Sequence, residues 1–106
     1  MLVQPLTKPK LKKRHPKNNP VPTFESKCEV CGRPYAERHE IFYGPLRQLS
    51  IKYVLQVLLC PEHHRGKYGP HNNRWRDIEL KQRGQQWFER LYGHEEWMKV
   101  IGRNYL

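Results

Sequence analysis

Two short motifs of matched spacing constrain this chain more than anything else in it: Cys28-x2-Cys31 and, 28 residues later, Cys60-x2-His63. They use all three cysteines of the 106-residue sequence. An odd number of thiols does not close a disulfide framework, whereas three thiolates and an imidazole are four donors suited to a tetrahedral structural zinc. A redox Cys-x-x-Cys with Cys60 as a buried strand-end thiol is the rival reading, and it leaves the second pair unexplained. So short a chain buries a small core, and a metal is the natural staple for it. Gly32, directly after the first pair, lets the backbone reverse and turn its N–H groups toward the thiolates.

The pattern around these motifs predicts an α+β domain over residues 23–106. Residues 36–43 read as a short strand that Gly44-Pro45 ends, and 53–59, rich in β-branched and aromatic residues, as a second strand. Pro61 after Cys60 suits the first position of a helix, which places His63 and His64 in its first turn. Asn72-Asn73 can cap a helix at about 74–92, where Leu80, Gly84, Trp87, Phe88 and Leu91 recur at helical spacing. Gly93 ends it, and a last helix at about 94–101 carries Trp97, Met98 and Ile101 onto the one before. The tryptophans are read as core rather than as surfaces on which bases stack.

The charge divides the chain differently. Twenty Lys+Arg against ten Asp+Glu give +10, and six of those cations, including Lys12, Lys13 and Arg14, lie in residues 1–22 with five prolines and no acid. This segment reads as a flexible, disordered basic arm for phosphate contact, the plainer alternative being a solvated terminus. The longest apolar stretch, Val54-Leu55 and Val57–Leu59, is broken by Gln56 and far too short for a membrane span. Leu2-Val3 lead into Pro and Lys rather than an apolar h-region, so no secretory signal is read and a cytoplasmic location is expected.

The second histidine of the His63-His64 pair is what points beyond structure. Adjacent helical residues diverge by about 100°, so both cannot serve one zinc. If His63 completes it, a hairpin followed by a helix would bring His64 to His39 and Glu40 around a second, catalytic divalent cation; which histidine takes the zinc is left open. His71 is a further candidate metal ligand or phosphate contact, or a solvated loop residue.

The order Cys-x-x-Cys, then His39-Glu40-Ile41, then Leu58-Leu-Cys-Pro-Glu-His-His-Arg-Gly-Lys67 resembles the zinc-stabilised branch of the HNH (ββα-metal) endonucleases, and more closely small phage- and prophage-encoded HNH-like proteins. The resemblance covers roughly residues 26–73. It implies a small treble-clef, ββα-metal fold and a DNA endonuclease of phage DNA processing or recombination. Besides the structural Zn²⁺ it implies a catalytic cation (Mg²⁺, Mn²⁺ or Ni²⁺), with His39 on the metal side, Glu40 in the place of the base and His64 as helix ligand. Lys67 also matches a common position of that family. Glu40 departs from the usual histidine, and Gln56 is only a weak substitute for the family's middle Asn.

On that reading the cation holds the scissile phosphate of DNA while His39 or Glu40 deprotonates water, with Arg38, Arg65 or Lys67 meeting phosphate. The departures at Glu40 and Gln56 support an alternative, a non-catalytic zinc module that binds nucleic acid on the same scaffold. A protein-binding phage component is a third class. A homodimer or a DNA-processing partner would be compatible with a small nuclease, though no interface is legible.

Overall fold

The computed structural model describes residues 21–106, so Lys12, Lys13 and Arg14 of the basic arm lie outside the described residues. Two strands, β1 (Glu37–Glu40) and β2 (Gln56–Leu59), pair antiparallel with Glu37 opposite Leu59 and His39 opposite Val57. Among the described residues four helices accompany them: α1 (Arg47–Tyr53), α2 (Pro61–Arg65), α3 (Arg74–Tyr92) and α4 (His94–Val100). The architecture is a small α+β fold.

Both strands are shorter than the sequence suggested, and the connection is no tight hairpin. A 3-10 turn at Gly44–Leu46 and then α1 stand between them. Tyr53, expected in the second strand, closes α1, and Val54 caps it at φ +58°. That left-handed conformation costs a β-branched residue on the order of 1–2 kcal/mol. Its neighbours overdetermine it. Leu55 N–H donates to Ser50 O and Ile41 N–H to Leu55 O, so the chain must turn sharply from helix into ladder within one residue. The Ser50 hydroxyl then accepts from Phe42 N–H and donates to Phe42 O, both at 2.8 Å, which fastens α1 to the end of β1.

Helix α3 has the span its periodicity predicted. Asn73 Oδ1 accepts from Arg76 N–H at 3.2 Å at its start, and Gly93, at φ +87°, ends it. Leu80, Trp87 and Phe88 bury against Ile41, Phe42, Leu55 and Val57. Trp97 of α4 completes the core, edge-on to Phe42 (5.4 Å) and Phe88 (5.3 Å), with its indole N–H donating to Arg103 O. The buried Gln85 amide clamps the C-terminal residues by accepting from Tyr105 N–H and donating to Asn104 Oδ1. Two helical aromatic or apolar residues are not core: Trp75 is 80% exposed, and Met98 is 38% exposed. Trp75 lies in the first turn, before α3 reaches the sheet.

Gly84 tests this packing with an unusual sign. It sits in mid-helix, and a Cβ there would meet Ile41 and Phe42 at 3.6–3.7 Å, which is ordinary contact rather than overlap. Gly84→Ala is therefore expected to raise the stability of the metal-loaded protein by about 0.5–1 kcal/mol in urea unfolding. A loss of stability would show that the α3–sheet interface is tighter than described.

Candidate metal centres

The first centre is built by three pieces of chain that meet at the end of β2. The knuckle turns through Gly32 (φ +75°), whose N–H donates to Cys28 O at 2.8 Å. Glu29 N–H donates to Leu58 O, docking the knuckle on β2. Cys60 opens α2 with Pro61 behind it, so His63 comes round one turn later on the same side. The Cys31 and Cys60 sulfurs are 3.8 Å apart, and His63 Nδ1 lies 3.7 Å from Cys28 Sγ and 3.2 Å from Cys60 Sγ. All four donor atoms fall within 4.8 Å of one another. Metal–donor bonds of about 2.0–2.3 Å give tetrahedral edges of about 3.3–3.8 Å, so the cluster has the size that a four-coordinate ion of zinc's radius needs.

Burial acts against thiolate formation at Cys28, but N–H groups of Cys60, Cys31 and Val30 and the Cys31 thiol outweigh it and hold the group down at about 6. Cys60 is pushed up by burial and by the neighbouring thiols. Cys28 is thus held toward the thiolate form that binds a metal ion.

The second centre lies on the other side of α2. Strand residues alternate faces, so Glu37 and His39 share one face of β1 with their cross-strand partners Leu59 and Val57. His64, one residue and about 100° round from His63, meets that face. Its Nε2 lies 3.1 Å from His39 Nδ1 and 3.0 Å from His71 Nε2. Gly69 brings His71 in: a Cβ there would meet His64 O at 2.4 Å, so only glycine lets this loop press onto the end of α2. The Asn72 amide secures the same loop by donating to Arg65 O.

Three imidazole nitrogens at these separations match the edges of a nitrogen-liganded cation, about 3.0–3.4 Å for bonds of about 2.0–2.1 Å. His39 is 2% and His64 7% exposed, whereas His71 faces solvent, leaving the cluster open on that side. Burial first, then the adjacent His64 and His71, press the His39 imidazole down to about 3, so it presents a neutral ring. Burial likewise lowers His71. Among the described residues, His39 Nε2 is buried without a hydrogen-bond partner, a cost of about 1–3 kcal/mol that the rest of the fold must offset.

Glu40 does not join this cluster. It belongs to the opposite strand face, where Oε1 accepts from Gln56 Nε2 at 2.8 Å, and burial raises its pKa against the pull of that bond, Arg38 and Arg47. Gln56 is therefore the partner of Glu40 and not a group aimed at the histidines. Arg65 bonds Glu37 Oε2 at 2.7 Å, and Lys67 lies over the Tyr68 ring. The sequence reading missed the groups that frame the cluster. Glu37 contacts His64, the Tyr43 ring stands 5.2 Å from His71 and 5.9 Å from His39, and Asp77 pairs with Lys81 at 2.7 Å beside Tyr43. Strand alternation from His39 would have found Glu37; the others come from α3 and the turn after β1 and carry no local signal.

Among the described residues, no helix is long and apolar enough to cross a membrane. Comparison of the chain with protein-family models, curated proteins and solved structures finds no match.

If the Cys28–Cys31–Cys60–His63 cluster holds the knuckle to β2 and α2 through an ion, removing that ion must loosen the domain. Cobalt loading should give thiolate charge-transfer absorption that Cys60→Ser weakens, and a strong chelator should sharply lower the melting temperature followed by circular dichroism. An unchanged melting curve after metal removal would refute a structural role.

Proposed function

We propose that the chain is a zinc-stabilised, metal-dependent DNA endonuclease of the HNH type on a treble-clef scaffold, serving phage DNA processing or recombination. The observation that carries this reading is the division of labour on α2: His63 faces a cluster of four donors, three of them thiols, and His64 faces a cluster of only three imidazoles, which would leave coordination positions free. Closed thiolate sites are the structural kind, and sites with open positions are the catalytic kind. In this reading zinc fills the first.

A divalent cation at the second would hold the scissile phosphate, acidify water and stabilise the leaving 3′-oxygen. Its three nitrogen donors suit Ni²⁺ or Zn²⁺ best and Mg²⁺, which prefers oxygen, least, with Mn²⁺ between them. Arg65, held by Glu37 beside His64, would supply a cationic group for the phosphate, with Lys67 two residues further along the chain as a second. His39 fits the part of ligand better than that of base, because its Nδ1 lies 3.1 Å from His64 Nε2 inside the cluster and the residue is almost wholly buried, away from bulk water to be activated.

The second reading, a non-catalytic nucleic-acid-binding module, is favoured by one specific observation. Glu40, the sequence's candidate base, is turned to the opposite strand face and occupied by Gln56.

Supercoiled plasmid separates the two. With Mn²⁺ or Ni²⁺ the protein is expected to nick it; His64→Ala and His71→Ala should each reduce nicking by at least about tenfold, while Glu40→Gln should not. Nicking that both histidine variants retain would sink the site assignment. No cleavage with any ion, together with a salt-dependent gel shift, would give the case to the binding module.

A further inference from the structure

Glu37 stands two residues before His39, and its cross-strand partner Leu59 immediately precedes Cys60, the residue that opens α2. The strand register itself thus delivers this carboxylate to the first turn of α2. There it is used twice. Oε1 accepts from His64 Nδ1 at 3.0 Å and Oε2 accepts from Arg65 Nη2 at 2.7 Å.

An ionised carboxylate can only accept, so the hydrogen of the His64 ring must sit on Nδ1. A neutral imidazole has one such hydrogen, and Nε2 is left with its lone pair. That same Nε2 is the atom approached by His39 Nδ1 and His71 Nε2. The opposite tautomer would point an N–H into the middle of the cluster and close it to a cation.

We infer that Glu37 is the positioning residue of this cation site, holding His64 in the tautomer that binds a divalent ion through Nε2 and orienting Arg65 beside it. Carboxylates that accept from a metal-bound histidine also raise its basicity, and their loss costs about 10–100-fold in metal affinity. The inference rests on the proposed reading only for a cation at the three histidines and needs no nuclease activity.

The test uses the full chain with its thiolate site filled by zinc, titrated with Ni²⁺ alone, and reads the His64 tautomer by ¹⁵N NMR before Ni²⁺ is added. The wild type should take up one further Ni²⁺ and show Nδ1–H at His64. Glu37→Gln and Glu37→Ala should weaken Ni²⁺ binding by about 10–100-fold while zinc content stays the same, and Glu37→Ala should let the two tautomers mix. Arg65→Ala, which leaves the Glu37–His64 contact in place, should still bind Ni²⁺.

A purely structural Glu37 would lower thermal stability in its variants and leave both Ni²⁺ affinity and tautomer unchanged, which overturns the inference. A wild type that takes no Ni²⁺ removes the cation site and the inference with it. A wild type that binds Ni²⁺ through Glu37-oriented His64 yet never cuts DNA removes only the nuclease reading.

Discussion

Everything near the candidate sites depends on one five-residue helix and the angle between two of its neighbours. Residues adjacent on a helix diverge by about 100°, so His63 and His64 look into different environments from a single rigid turn. Cys60 and Pro61 set where that turn begins. The knuckle reaches it from one side, and the Glu37–His39 face of β1 from the other. A shift of α2 by one residue would spoil both clusters together.

The rest of the fold serves to hold this junction still. The two-stranded sheet is too small to be stable alone, and α3 and α4 cover it with Leu80, Phe88 and Trp97. Glu29, next to Cys28, is gripped by Arg76 and Arg83 of α3, which ties the knuckle to the long helix by a partly buried ion-pair network. Tyr43, Asp77 and Lys81 extend α3's reach to the histidine cluster. The helix that looks like mere scaffolding in sequence therefore supplies part of the wall of the open site.

Several of these features were legible without coordinates. The paired spacing of Cys28, Cys31, Cys60 and His63 shows through because ligand geometry at a turn and at a helix start is local. Helix α3 shows through because Asn73, Gly93 and a 3.6-residue apolar repeat are local signals too. The argument that one of two adjacent histidines must be left over needed only helix geometry. It led to His39 and His64, which the fold brings within 3.1 Å. Glu40 stands apart from the histidines for a reason the sequence already held: if His39 faces α2, period-2 alternation turns Glu40 to the other face and brings Glu37 in.

By itself, then, the sequence determined the donor types, their pairing along the chain and the long helix, all of which follow from spacing within a few residues. Tertiary structure alone decided the rest. Helix α1 replaced a hairpin because the Ser50–Phe42 and Leu55–Ser50 bonds stabilise a turn that propensity does not favour at Val54. His71 joined the open cluster because Gly69 allows its loop to press onto α2. Glu37 was set against His64 by the register of a strand pair whose members are some 20 residues apart in sequence. Contacts between distant segments leave no periodic trace, and the orientation of a side chain is settled only when its packing partners arrive.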